Sequence, residues 1–196
     1  MLRPIYYCTH SLGPLLTVLD EELRKVSAFG TGCRINNLPA GMPVKDDMSC
    51  AQFQTDSGVV VRLLRNGRCR ADIGMHGYRV FGTEGYMERV VRMGKAVIRY
   101  NSQKELDTSL KEVDGSFMPP AYENNQKAKE GGHGGMDFAM MDHFLDALLN
   151  GKPAPISLKE GLAMTLPGLY AYESMQRGGE VMKIYYPWDK EWTGEF

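Results

Sequence analysis

Two textures of apolar and polar positions alternate along the chain. In the middle, short runs of apolar and polar residues at period two predict strands at Gln52–Thr55, Gly58–Leu64, Cys69–His76, Tyr78–Thr83 and Gly85–Val90. Turn formers such as Asp56-Ser57-Gly58 and Arg65-Asn66-Gly67 separate them, so the strands read as an antiparallel meander with one face packed and the other partly solvated or held against a second subunit. Toward the ends the period lengthens. Leu15, Leu16, Val18 and Leu19 predict a short helix starting near His10, and Arg24–Gly30 reads as a strand leading into a turn-rich loop at Asn36–Pro43. Phe138, Met141, Leu145 and Leu148 fall at i, i+3, i+7 and i+10 of a helix that Asn150-Gly151 stops. A second helix opens on the capping box Ser157-Leu158-Lys159-Glu160, is expected to kink at Pro167, and runs toward Gly178-Gly179. Val181–Tyr186 predicts a last strand, while residues 101–135 read as polar and irregular. The expected fold is one α+β domain over residues 1–196, a mostly antiparallel open sheet with helices packed on one face.

Composition narrows the function classes. A chain of 196 residues that is 43% apolar and 24% charged fills one core without disulfide or metal staples. Its formal net charge of -1 argues against nucleic acid and against an anionic membrane surface as partners. No apolar stretch approaches the ~20 residues that span a bilayer, and the expected location is cytoplasmic. Cys8, Cys33, Cys50 and Cys69 form no CxxC pair, so reduced thiols and no metal site are expected. Neither GxGxxG nor GxxxxGK[ST] occurs, so no residue of this chain is read as cofactor-binding.

The candidate chemistry sits in two short stretches. His10, beside Tyr7, Thr9 and Ser11 at the start of the first helix, suits proton transfer near neutrality, or else caps the helix. His133 lies in Gly131-Gly132-His133-Gly134-Gly135, where glycines permit close approach of backbone to a ligand; a plain linker is the other reading. Asp137 either caps the following helix or orients a histidine or a substrate hydroxyl. Tyr86 offers a ring to a sugar at a strand edge or packs within the sheet, and His76 and His143 read as surface residues.

Tyr7-Cys8-Thr9-His10-Ser11-Leu12-Gly13-Pro14 and Gly131–Phe138, with Phe144, Ala147, Asn150-Gly151, Pro153, Glu160-Gly161 and Gly178-Gly179, resemble the C-terminal domain of the glucose-fructose oxidoreductase and inositol dehydrogenase (Gfo/Idh/MocA) family. The resemblance implies a substrate-binding and oligomerising domain, the C-terminal half of an enzyme whose N-terminal Rossmann domain binds NAD or NADP. The substrate would be a sugar, inositol or related polyol, and the assembly a homo-oligomer. It implies His10 and Tyr7 as catalytic, and Thr9, His133 and Asp137 as substrate-binding, to which the strand-edge position of Tyr86 adds a further candidate. Alone, the chain is expected to be inactive and to bind no cofactor. Many members carry aspartate four residues before the histidine, where Tyr6 stands here. The spacing of Tyr7, His10, Gly13 and Pro14 is similar to the family's NAD-dependent glycoside hydrolase branch, which acts on N-acetylgalactosaminides, although the Asn-Arg-Gly-Asp-like continuation of that branch is missing. A non-catalytic sugar-binding or dimerisation module is the remaining alternative.

Overall fold

The fold is taken from a computed structural model, which describes residues 4–34, 46–67, 69, 77–92, 95–107, 109–115, 122 and 124–194. The loop at 36–43, His76 and nearly all of the strand expected at Cys69–His76 lie outside the described residues. The chain divides into two compact units, Met1–Arg70 with Leu158–Phe196, and Ala71–Ser157. Each has its own four-stranded sheet, and every strand pairing is antiparallel. The α+β class and antiparallel pairing are those the pattern predicts, with the strands shared between two sheets.

In the first unit the helix α1 (Thr9–Leu19) and the strands β1 (Leu23–Gly30), β2 (Met48–Thr55) and β3 (Val60–Asn66) fall close to their expected positions. The sheet order is β3-β2-β1-β8, where β8 is only Met182–Lys183, shorter than the expected Val181–Tyr186. Past it, Ile184 still donates its N–H to the Arg24 carbonyl at 2.8 Å, and the buried Tyr186 hydroxyl donates to the Leu23 carbonyl at 2.9 Å. Alternation puts Val26, Ala28, Ala51, Phe53, Val61 and Leu63 on one buried face. Helix α4 (Leu158–Gln176) covers it with Leu166, Tyr170 and Ala171.

Helix α4 runs from Leu158 through Pro167 to Gln176. Pro167 cannot donate to the Ala163 carbonyl; Pro167 and Gly168 are buried, and Gly168 lies against the chain before α1. Ser174, fully buried, accepts from the Ala28 N–H at 3.0 Å and donates to the Glu180 carbonyl at 2.7 Å, which ties α4 to the sheet.

The second unit has the sheet β4 (Tyr78–Gly82), β5 (Gly85–Arg92), β6 (Lys95–Ser102) and β7 (Lys111–Asp114), in that order, with helices α2 (Gln126–Glu130) and α3 (Met136–Asn150). The end of β6, all of β7 and α2 fall in the segment read as irregular. Lys111-Glu112-Val113-Asp114 has no apolar alternation to betray a strand; its state comes from pairing with β6. α2 is a five-residue helix capped by the Asn125 side chain, which accepts from the Ala128 N–H at 3.1 Å. Among the described residues, no helix is long and apolar enough to cross a membrane.

One face of this second sheet carries a ladder of alternating charge. Arg79 faces Glu88 at 3.2 Å, Glu88 faces Arg99 at 3.4 Å, and Arg99 faces Glu112 at 2.8 Å, each a direct cross-strand pair. The Tyr86 hydroxyl, with help from the Arg99 and Arg79 guanidiniums, holds the Glu88 carboxyl below its usual range. Such a group adds stability above the ordinary carboxylate pKa of about 4.3 and loses it as the pH falls. Thermal unfolding from about pH 6 down to about pH 3 checks this: Glu88→Gln melts below the wild type at the upper end, and the gap closes on acidification.

Candidate active site

The first candidate site is built where the chain turns into α1. Pro4–Tyr6 forms a 3-10 turn, Cys8 stands at the helix N-cap without a side-chain cap, and its carbonyl accepts from the Ser11 and Leu12 N–H groups at 2.9 and 2.8 Å. Cys8 is wholly buried with its thiol toward the Met164 carbonyl at 3.4 Å, and burial pushes that thiol up to about 11. It is a packing residue, not a nucleophile. With Cys8 pinned inward, its neighbours Tyr7 and His10 face outward.

The Tyr7 hydroxyl lies 3.1 Å from His10 Nε2, and the two rings tilt against each other with centroids 4.7 Å apart. Thr9 Oγ1 is 3.5 Å from His10 Nδ1. When Nδ1 carries the proton and donates to Thr9, Nε2 accepts from Tyr7; in the other tautomer Nε2–H donates to the Tyr7 oxygen. The pair can therefore pass a proton in either direction. The structure brings together the three residues singled out here by the sequence.

A fourth residue of this cluster was missed by sequence reasoning. Arg65, at the end of β3, holds its guanidinium over the Tyr7 ring at 5.3 Å. The signal was present: Val61, Leu63 and Arg65 alternate onto one face, so the arginine stands where the strand pattern calls for an apolar side chain.

The second candidate site belongs to the other unit. His133 Nδ1 lies 2.8 and 3.0 Å from the two Asp137 carboxylate oxygens, so Asp137 orients the imidazole, one of the two readings its position allowed. The turn is strained to achieve this. His133 itself sits at φ 53°, followed by Gly134 at 68° and Gly135 at 94°. A Cβ at Gly132 would run into the Asp137 carboxylate, so that glycine is needed for the pair to form. The Tyr86 hydroxyl donates to Glu88 at 2.9 Å, while its ring meets Phe81 at 5.1 Å. Phe81, Tyr86, Asn101 and Gln103 line an open depression of about 670 Å³. His143 is exposed, as expected.

Among the described residues, no group of three or more His, Cys, Asp or Glu side chains could hold a metal ion. No parallel strand–helix–strand unit is present among them either.

The fold is that of the C-terminal domain in Gfo/Idh/MocA oxidoreductases. It superposes on an NAD-binding oxidoreductase from Klebsiella pneumoniae with TM-score 0.68 at 18% identity, over 91% of this chain and 49% of that one. An aldose-aldose oxidoreductase from Caulobacter crescentus gives TM-score 0.65 at 16% identity, over 90% and 46%. Within that class, the profile of the glycosyl hydrolase 109 C-terminal domain matches residues 44–190, and the chain belongs to this family. A glycosyl hydrolase family 109 protein from Parabacteroides distasonis is 25% identical over 196 residues, 90% of this chain and 41% of the relative. An alpha-N-acetylgalactosaminidase from Tannerella forsythia is 45% identical over 56 residues, 29% of this chain and 12% of the relative. The chain thus spans less than half the length of the curated relatives it matches.

Packing beneath the Tyr7–His10 turn yields a direct test. A Cβ on Gly168 would stand 2.6 Å from the Cys8 sulfur and 3.0 Å from the Ile5 carbonyl oxygen. Gly168→Ala is expected to destabilise the chain by about 1–3 kcal/mol despite alanine's better helix propensity, read as a lower urea midpoint at unchanged m-value.

Proposed function

We propose that this chain is the substrate-holding half of an NAD-dependent glycoside hydrolase that acts on N-acetylgalactosaminides, with Tyr7 and His10 moving the protons. The observation that carries the reading is the 3.1 Å contact between Tyr7 Oη and His10 Nε2, at an outward-facing helix start, in a chain of the glycosyl hydrolase 109 family. In this reading the Tyr7 oxygen takes a proton from the sugar as its own proton passes to His10 Nε2, and the reverse transfer returns it. Thr9 meets His10 from the Nδ1 side and accommodates either tautomer. NAD, held by a further domain, supplies the hydride acceptor; what this chain contributes is binding and proton movement.

In the second unit, His133 oriented by Asp137 keeps its Nε2 side for a sugar hydroxyl, and Tyr86 offers its ring, its hydroxyl being engaged by Glu88. A dehydrogenase of sugars or polyols is the second reading, favoured by the likeness of the fold to oxidoreductases over nine tenths of the chain. That reading shares the roles of Tyr7 and His10 and differs in its product.

The test is His10→Ala in a protein that carries this chain together with its dinucleotide-binding domain, assayed on 4-nitrophenyl α-N-acetylgalactosaminide. Turnover is expected to fall by about a hundredfold or more, with nitrophenol released and no net NADH. Undiminished turnover would remove His10 from the mechanism. Net NADH from a free sugar, without glycoside cleavage, would replace the hydrolase by the dehydrogenase.

A further inference from the structure

The core face of the first sheet ends in a row that breaks its own pattern. Cross-strand neighbours along this face run Val26, Phe53 and Val61, then Ala28, Ala51 and Leu63, and then Gly30, Ser49 and Arg65. The first two rows are buried apolar residues. The third holds two buried polar atoms, Ser49 Oγ and Arg65 Nε, that have no hydrogen-bond partner. Arg65 also forms no salt bridge among the described residues, although its guanidinium stacks on Tyr7. A cation kept from carboxylates, with an N–H group withdrawn from water, costs stability unless an acceptor arrives. Departures of this kind from the local pattern fall at functional sites.

We propose that Arg65 is a substrate-binding residue of the Tyr7–His10 site, and that it takes the acetamido carbonyl oxygen of a 2-acetamido sugar; this rests on the functional reading above. Guanidinium carries donors only, so it discriminates in favour of groups that only accept. Sugar hydroxyls both donate and accept, and they are served equally well by Tyr, Thr and His. The acetamido carbonyl is the one acceptor-only oxygen that distinguishes an N-acetylhexosamine from the parent hexose. Stacking on Tyr7 links this recognition to the proton-moving pair, because the ring that fixes the guanidinium also bears the reactive oxygen.

The experiment titrates the 196-residue chain with N-acetylgalactosamine and with galactose by saturation-transfer NMR, in the wild type, Arg65→Met and His10→Ala. The wild type is expected to prefer N-acetylgalactosamine by about tenfold, the effect of one hydrogen bond to a charged group. Arg65→Met should abolish that preference and leave galactose binding in place, while His10→Ala weakens both sugars alike. A preference that survives Arg65→Met overturns the assignment and leaves the hydrolase reading standing. Absence of binding to either sugar in the wild type overturns both. Should Arg65→Met fail to fold, Arg65→Lys keeps the charge and the stem; a weakened preference is then expected, and an unchanged one overturns the assignment.

Discussion

The first unit depends on a hydrogen atom where every other residue would place a carbon. Gly168, in the middle of α4, lets the Cys8 sulfur and the carbonyls of Ile5 and Tyr6 come against the helix backbone. The approach buries Ile5 and Cys8 completely and closes the core between α1, α4 and the sheet. Cys8 is the residue that alternates with Tyr7 in direction, so pinning the thiol inward is what turns the phenol outward. Gly13 plays a smaller part in the same packing, where a Cβ would press on the Met164 sulfur at 3.2 Å. The Tyr7–His10 pair is thus aimed by apolar packing on its far side.

Much of the first unit was legible in the sequence because its elements obey simple periods. α1, β1, β2 and β3, like α3 in the second unit, appear where the apolar spacing put them, and the Tyr7–His10 contact joins the residue just before the N-cap to one in the first helical turn. What escaped was structure without a period. β7 has one apolar residue in four, and an ionic ladder supplies the partner that periodicity could not reveal. α2 owes its existence to the Asn125 cap. The continuation of α4 beyond Pro167 was likewise not a matter of period.

The two histidine pairs solve the problem of orienting an imidazole differently. His133 leans on a carboxylate, which fixes Nδ1 as the donor and leaves Nε2 facing away from Asp137. The cost is a non-glycine residue at positive φ and a glycine-only neighbour. His10 instead touches two hydroxyls, at Nδ1 and Nε2, and neither fixes its tautomer. That makes it the more suitable of the two to give and take a proton within one catalytic cycle.

Solvent sets the limit on what either pair does in this chain. Tyr7 is 46% exposed and His10 also faces water. Proton transfer and charge recognition gain most of their catalytic value where water is excluded, since bulk solvent competes for every donor and acceptor. Arg65 shows the same tension from the other side: its Nε is already dry, but nothing in the described chain meets it. A ligand that fills the space beside Tyr7 would therefore act twice, pairing the arginine and drying the histidine.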